Sequence, residues 1–340
     1  MKLLKKNIIL TGGCGFIGSN MCKLLIKKKY HVINIDCLAP PFNSIKINYP
    51  KKNYKHYKIN INQTQKISFL IKKYNPVAII NFAAETHVDR SIDNNTKFYK
   101  TNLMGTVSLL NSIKKANLKT EIKFIQISTD EVYGDFINKN PAKETSLINP
   151  SSPYASSKAS ADISILSFYR TFNINFIITR CCNNYGPNQF PDKLIPKIIL
   201  SCKKNFNIPI YGDGKQIREW IFVKDHCTAI YELLTNNKAK GIYNIGSEER
   251  IDNLSIVKML LKQLRKKIYT KSKIIFVDDR PGHDKKYSIN SNKIKKQTKW
   301  KNKTPFEKGI KKTIDWYLAN KLMFKKNNNS LLKKRLGQIK

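Results

Sequence analysis

Apolar runs alternate with helical patterns through the first half of the chain. Runs that are short enough to be strands occupy residues 7–11, 32–36, 54–59, 77–82, 121–127 and 174–179. Helical patterns lie between them, most clearly at residues 16–29, 97–116 and 153–172. Such alternation is typical of a parallel sheet that is covered by helices on both faces. The pattern therefore predicts an α/β protein with a Rossmann-type, doubly wound parallel sheet.

The alternation is interrupted after Arg180 by several prolines and by the turn Gly212-Asp213-Gly214. Beyond them, a strand at 241–246 is predicted to return to the main sheet, and a helix at 251–266 and a short strand at 273–277 follow. The second lobe is thus expected to be mixed α/β, smaller than the first and interleaved with it. We predict a first domain over 1–180 with a further strand and helix from about 220–250, a second lobe over 181–320, and a basic tail over 321–340.

Three glycines follow the first strand at the spacing Gly-x-x-Gly-x-x-Gly, namely Gly12, Gly15 and Gly18. Glycine permits a tight turn and a close approach of the backbone to a pyrophosphate, and the helix that follows offers N–H donors at its N-terminus. Asp36 ends the second strand, where a carboxylate binds the ribose hydroxyls of NAD and repels the additional phosphate of NADP. The alternative is a plain turn. The ordered set of strand, glycines, helix and acid predicts NAD as the cofactor of the first domain.

Tyr154 and Lys158 lie four residues apart in a predicted helix that begins after Ser152. A free tyrosine has a pKa of about 10, and a nearby ammonium, a helix N-terminus and the positive nicotinamide ring all favour the phenolate. The pair can therefore remove the proton of an alcohol during its oxidation. In a lysine-rich chain the same spacing also arises by chance, so its position after the predicted nucleotide-binding sheet is what favours a catalytic role.

Two adjacent carboxylates, Asp130 and Glu131, follow Ser128 and Thr129 at the predicted carboxyl end of a strand. In a parallel sheet this is the edge where ligands bind. Neighbouring carboxyl groups serve as an acid and a base when their surroundings push the two pKa values apart. The competing interpretation is that these acids only cap the next helix.

Charge, apolar run length and cysteine spacing together argue against several classes of function. The formal net charge is +40, yet arginine is scarce among the 63 basic residues and the lysines are spread along the chain, so we expect solvated surfaces and no nucleic-acid partner. The apolar runs are too short to cross a bilayer, and the N-terminus lacks the apolar core of a signal peptide. The seven cysteines form no Cys-x-x-Cys pair. We therefore expect a cytoplasmic protein with free thiols, no membrane association and no metal site.

Several motifs together resemble those of the extended short-chain dehydrogenase/reductases and, within them, the dTDP-glucose 4,6-dehydratases. The resemblance extends over residues 7–317. It rests on the segments 11–19, 83–91, 128–134, 151–158, 180–187, 193–196, 218–220 and 279–284. The tripeptide Thr129-Asp130-Glu131 is the most discriminating of them, because related sugar-nucleotide epimerases generally lack the paired acids.

The resemblance implies an activity on dTDP-glucose. Tyr154, assisted by Lys158, takes the proton of the 4-hydroxyl, which Thr129 also contacts, while hydride passes to NAD. Glu131 then removes the proton on carbon 5, and Asp130 protonates the leaving hydroxyl on carbon 6. Return of the hydride to carbon 6 regenerates NAD. The resemblance also implies a homodimer that pairs the helices 97–116 and 153–172.

It further implies two sets of binding residues. The cofactor set is Gly12, Gly15, Phe16, Ile17, Gly18, Asp36, Asn60, Ile61, Phe82, Ala83, Ala84, Thr101, Tyr154, Lys158 and Asn184. The substrate set is Thr86, Thr129, Asn183, Lys193, Leu194, Pro209, Tyr211, Arg218, Asn253, Asp279, Arg280 and His283. The chain departs from the family pattern at Asn60, where the family has Asp, in the loop 37–41, and at Glu219, which replaces Asp.

Three alternatives remain open at this point. The same chemistry could act on a UDP-sugar, or the chain could be a UDP-sugar 4-epimerase. A non-catalytic basic protein that uses an NAD-bound fold is the third, but it is disfavoured because Tyr154, Lys158 and both acids are present.

Overall fold

The computed structural model describes residues 6–39, 49–50, 52–136 and 140–320. Its strands are β1 (Asn7–Thr11), β2 (His31–Ile35), β3 (Tyr54–Tyr57), β4 (Ala78–Asn81), β5 (Lys123–Thr129), β6 (Phe176–Cys181), β7 (Asn183–Tyr185), β8 (Ile208–Tyr211), β9 (Ile217–Phe222), β10 (Gly241–Ile245), β11 (Arg250–Asp252) and β12 (Ile274–Val277). Its α-helices are α1 (Phe16–Lys27), α2 (Thr64–Tyr74), α3 (Val88–Asp93), α4 (Asn95–Phe98), α5 (Gly105–Ala116), α6 (Pro153–Phe172), α7 (Leu194–Lys204), α8 (Val223–Thr235), α9 (Asn253–Arg265), α10 (Asn292–Gln297) and α11 (Phe306–Ala319).

The main sheet has seven strands in the order β10-β6-β5-β4-β1-β2-β3, and every neighbouring pair is parallel. The strand order reverses beside β1, which is the arrangement of a doubly wound sheet. The predicted α/β fold class is therefore confirmed. The central strands are fully buried because helices cover both faces, which explains their continuous runs of isoleucine.

The structure extends β5 two positions past its predicted end, to Thr129, because Ser128 and Thr129 pair with Arg180 and Cys181 on β6. The prediction stopped at the last apolar residue of this strand. The difference matters for the site, since Asp130 is now the first residue beyond the carboxyl end of a central strand. A 3₁₀ turn (Asp130–Tyr133) begins there.

The second lobe has its own core and two small sheets. One sheet has the order β11-β9-β7, and the other pairs β8 with β12. Aromatic side chains fill the core between these sheets and α7, α9 and α11, among them Tyr185, Trp220, Phe222 and Phe306. The strand predicted at 241–246 lies in the main sheet as β10, beside β6. The division of the chain at residue 180 remains a prediction, and the predicted tail, 321–340, lies outside the described residues.

Two predicted helices differ from the structure. The segment 97–116 contains a π-helical turn (Tyr99–Met104) between α4 and α5. π-turns often occur at functional sites, and in this one Asn102 binds the backbone of Glu85 and the hydroxyl of Ser157. The helix predicted to start at 251 begins at Asn253, because residues 250–252 form β11 against β9.

The described residues contain seven free cysteines, of which six are buried. They contain no group of three or more side chains that could hold a metal ion. Within the same ranges, no helix combines the length and apolar character that a membrane crossing requires.

A buried ion pair joins α6 to β6. Arg180 Nε donates to Asp162 Oδ2 at 3.0 Å, and the same oxygen accepts a hydrogen bond from Ser128. We expect Asp162→Ala to lower the free energy of unfolding by about 3–5 kcal/mol, because it leaves the Arg180 charge buried without its partner. Urea unfolding measures this change.

The matched control is Asp315→Ala. Asp315 forms an ion pair of similar length with Lys267, at 2.8 Å, and this pair is far more exposed than the pair of Asp162 and Arg180. This substitution should cost less than about 1 kcal/mol. Equal costs for the two variants would contradict the assignment of Asp162 as a buried anchor.

Candidate active site

A cavity of about 470 Å³ opens along the carboxyl ends of the central strands. Its wall contains all of the residues that were predicted to bind the cofactor. It also contains Thr129, Glu131, Thr86, Asn183, Lys193 and Leu194 from the predicted catalytic and substrate sets. Asp130, from the predicted catalytic set, does not line it. Ligand-binding cavities in doubly wound proteins occupy this edge of the sheet. The structure thus brings the predicted cofactor residues and part of the predicted catalytic and substrate residues together in one cavity.

The glycine turn after β1 is shaped for close backbone contacts. Gly12 has a φ of +69°, and a Cβ there would lie 2.6 Å from the backbone nitrogen of Ala83. A Cβ on Gly18 would overlap the carbonyl group of Gly12. A Cβ on Gly15 would meet only the Gly12 carbonyl oxygen, at 3.2 Å, and Gly15 lines the cavity. The turn and the start of α1 therefore fit a dinucleotide pyrophosphate, which needs a bare backbone.

The carboxylate of Asp36 is fixed by two backbone amides at the end of β2. Its Oδ2 accepts from Cys14 N at 2.9 Å, and its Oδ1 accepts from Leu38 N at 2.8 Å. It lines the cavity beside Asn60, whose own side chain is folded onto Asn62 N at 2.9 Å. These positions suit the adenosine half of a dinucleotide. Pro40 and Pro41, in the unusual loop, lie outside the described residues.

Tyr154 and Lys158 lie on one face of α6. Ser152 accepts a hydrogen bond from Ala155 N, and Pro153 is the first helical residue, as predicted for this N-terminus. The ring of Phe98 packs edge-on against Tyr154 at 6.3 Å between centroids. Burial and the neighbouring Glu131 raise the pKa of Tyr154 well above 10, and a hydrogen bond with Thr129 opposes the shift.

The side chains around Tyr154 do not by themselves lower its pKa. Lys158 Nζ donates to the carbonyl of Ile127 at 2.5 Å, and burial raises the pKa of Tyr154. The expected lowering relied also on the positive nicotinamide ring and stays a prediction. Spacing along a helix places two side chains on one face but does not decide where a long side chain ends. Burial lowers the pKa of Lys158 to about 8, and Asp162 opposes this shift.

The two adjacent acids differ in surroundings. Asp130 is 2% exposed, and its Oδ2 has no hydrogen-bond partner among the described residues. Burial and the neighbouring Glu131 raise the pKa of Asp130 well above its ordinary value. Burial also raises the pKa of Glu131, but the positive charges of Arg280, Arg218 and Lys193 oppose that shift. Asp130 is therefore suited to hold a proton at neutral pH, and Glu131 is the better base.

Seven predicted substrate residues do not line the cavity. They are Pro209, Tyr211, Arg218, Asn253, Asp279, Arg280 and His283, all in the second lobe. Several of them contact other protein groups: Arg218 Nη2 donates to the carbonyl of Asp284 at 2.9 Å, and His283 Nδ1 lies 2.6 Å from Asp279 Oδ1. Two of them, Arg218 and Arg280, lie near enough to Glu131 for their charges to act on it.

Tyr287 is a neighbour of the acid pair that the sequence analysis missed. Its hydroxyl lies 3.5 Å from Glu131 Oε2 and 2.7 Å from Asp284 Oδ2, and the Arg218 guanidinium lies over its ring at 4.1 Å. Burial raises the pKa of Tyr287 well above its ordinary value, so it stays a hydrogen-bond donor. The available signal was its position just after the motif 279–284.

The fold, the glycine turn and the Tyr154/Lys158 pair define a short-chain dehydrogenase/reductase, and the paired acids set it apart from plain dehydrogenases. A family model described as GDP-mannose 4,6 dehydratase matches residues 9–313. The dTDP-glucose 4,6-dehydratase of Salmonella typhimurium is 39% identical over 335 residues, which cover 92% of this chain and 93% of the relative.

Solved structures agree with these sequence matches. The dTDP-glucose 4,6-dehydratase of Bacillus anthracis, in complex with NAD, has a TM-score of 0.84 at 39% identity. The match covers 93% of this chain and 98% of the Bacillus anthracis chain. The Streptomyces venezuelae enzyme of the same name, also with NAD bound, has a TM-score of 0.85 at 33% identity, with 94% and 99% covered. The chain belongs to the dTDP-glucose 4,6-dehydratase family, as the sequence analysis predicted.

The lowered pKa of Lys158 predicts that activity is lost at alkaline pH. The ammonium is present below about pH 8 and is lost as the pH rises through that value. Because kcat/KM reports the free enzyme, it should fall on the alkaline side with this midpoint. In Lys158→Arg the guanidinium stays charged, so the fall should move to higher pH even if the rate is lower. An unchanged alkaline limb in Lys158→Arg would assign the titration to another group.

Proposed function

We propose that this chain is an NAD-dependent hydro-lyase that converts dTDP-glucose to dTDP-4-keto-6-deoxyglucose. The observation that carries the proposal is the acid pair at the end of β5. Asp130 is buried with an unpaired Oδ2 and has a raised pKa, while the charges of Arg218, Arg280 and Lys193 oppose the rise in the pKa of Glu131. Relatives that carry the dehydratase name, and their structures with NAD, confirm the predicted enzyme class, activity and cofactor.

Tyr154 has the position for the first step. When bound in the cavity, NAD supplies the acceptor for the hydride of carbon 4 and later its donor. Tyr154 accepts the proton of the 4-hydroxyl, and Thr129, which hydrogen-bonds with Tyr154, orients that hydroxyl. Burial raises the pKa of the phenol, which favours retention of its proton. Ionisation of Tyr154 therefore requires the positive charge that a bound cofactor brings.

The acids carry out the loss of water. Oxidation at carbon 4 acidifies the proton on carbon 5, which Glu131 removes. Asp130 gives its proton to the departing hydroxyl of carbon 6, so water leaves and a carbon–carbon double bond forms between carbons 5 and 6. Carbon 6 then receives the hydride, and carbon 5 recovers a proton. No net redox change results.

The paired acids also separate the alternatives. A 4-epimerase needs no acid for a leaving hydroxyl, so the burial and raised pKa of Asp130 favour a dehydratase. Arg218 and Arg280 in the second lobe suit the diphosphate, because a guanidinium binds phosphate oxygens through two donors. We propose dTDP-glucose over a UDP-sugar on the names of the relatives.

Removing both acids tests the assigned steps. Asp130→Asn combined with Glu131→Gln should still oxidise carbon 4 but should lose water at least about 100-fold more slowly, since general acid and base catalysis is removed. Purified protein with dTDP-glucose should then accumulate reduced nicotinamide and form little of the 4-keto product that absorbs in alkali.

The matched control is Glu121→Gln, an exposed change just before the opposite end of β5, which should keep normal rates. Normal dehydration by the double variant would refute the roles of Asp130 and Glu131. An unmodified protein that gives no product would refute the activity itself.

We also propose a cytoplasmic homodimer. The free thiols are those of a reducing compartment. Large apolar side chains remain exposed on α6 and beside α5: Ile163 is 55% exposed and Met104 is 54% exposed. The two helices pack against each other within the subunit, so a twofold contact between copies would bury both apolar faces.

Ile163→Glu should therefore convert the protein from a dimer to a monomer in sedimentation velocity runs at micromolar concentration, because it places a charge in the apolar contact. Phe276→Glu is the control, since Phe276 is similarly exposed (59%) but lies on β12 of the second lobe. A dimer that survives Ile163→Glu, or is lost equally in both variants, would contradict this interface.

A further inference from the structure

A buried carboxylate of the first domain holds two side chains of the second lobe. Asp89 lies in the short helix α3 and is 3% exposed. Its Oδ1 lies 3.2 Å from Arg280 Nη1, and its Oδ2 accepts a hydrogen bond from the Tyr211 hydroxyl at 2.7 Å. Both oxygens of one carboxylate are thus occupied by residues that come from two distant points of the chain.

The contact determines the position of the Arg280 guanidinium. Arg280 Nη1 binds Asp89, while Arg280 Nε is buried and has no hydrogen-bond partner among the described residues. A buried unsatisfied donor of a charged group is costly, and its position beside the acid pair points to a ligand as the missing partner. The charge of Arg280 also acts on Glu131. The same guanidinium, which we propose binds the diphosphate, therefore also acts on the proposed base.

Tyr211 adds a second restraint on the same wall. Its ring packs edge-on against His283 at 6.3 Å, and His283 in turn binds Asp279. Tyr211 ends β8, which pairs with β12 just before the segment 279–284. Asp89 therefore holds both the segment that carries Arg280 and the sheet behind it.

We propose that Asp89 is a positioning residue for the nucleotide-sugar: by binding Arg280 and Tyr211 it fixes the diphosphate-binding wall of the second lobe against the NAD-binding domain. The inference rests on the proposed function. It concerns substrate binding, since Asp89 does not line the cofactor cavity. A purely structural ion pair would make a different prediction, namely a general loss of stability without a selective loss of substrate affinity.

Asp89→Asn keeps the shape of the side chain but removes its charge and one of its two acceptors. We expect KM for dTDP-glucose and the dissociation constant of dTDP, measured by calorimetry, to rise by at least about 10-fold, which corresponds to the loss of one charge-assisted hydrogen bond. NAD affinity should change less than about 2-fold, and kcat should fall less than KM rises, because the acid pair and Tyr154 stay in place. Tyr211→Phe, which leaves the Arg280 contact intact, should give a smaller change in the same direction.

Asp93→Asn is the matched control, because it is the same substitution on the same helix at an exposed position. It should leave all of these constants unchanged. If Asp89→Asn binds dTDP as tightly as the unmodified protein, Asp89 has no positioning role. The same conclusion follows if the variant loses NAD and dTDP affinity equally and its melting temperature falls. If the unmodified protein itself fails to bind dTDP, the proposed function falls first and this inference falls with it.

Discussion

The proposed acid–base chemistry depends on the unequal burial of two adjacent carboxyl groups. Asp130 and Glu131 are neighbours in sequence, so a shared aqueous environment would leave both ionised at neutral pH. The fold separates them. Asp130 is 2% exposed, and desolvation and the charge of Glu131 raise its pKa and favour its protonated form, whereas the charges of Arg280, Arg218 and Lys193 act on Glu131. A single central strand, extended to Thr129 by its pairing with β6, holds an acid and a base next to the phenol of Tyr154.

This separation needs both lobes. The carboxylates and the glycine turn follow strands at the carboxyl edge of the main sheet, and helix α6 supplies the phenol. The second lobe supplies Lys193, Arg218 and Arg280, whose charges oppose the rise in the pKa of Glu131 that burial causes. The interleaved chain, with β10 in the main sheet and β11 in the second lobe, leads the backbone back and forth between the two. The two arginines that we propose bind the diphosphate are therefore also the ones whose charges act on the proposed base.

Prediction from the sequence worked where a short segment contains the whole signal. The glycine turn with Asp36, the capped start of α6 and the acid pair each depend on neighbours in the chain, and all the predicted cofactor residues lie on one cavity. It worked less well for long side chains and for the second lobe. Lys158 reaches the Ile127 carbonyl, Tyr287 was missed, and Arg280 is held by Asp89, which stands far from it in sequence.

The sequence by itself determined the alternation of strands and helices, the family motifs and the order of groups along the sheet edge, because periodicity and local spacing act over a few residues. Only the tertiary structure decided which acid is buried, which cations face the other, and which carboxylate joins the two lobes. Desolvation and Coulomb interactions depend on distance and burial in space, and neither quantity can be obtained from the position of a residue in the chain.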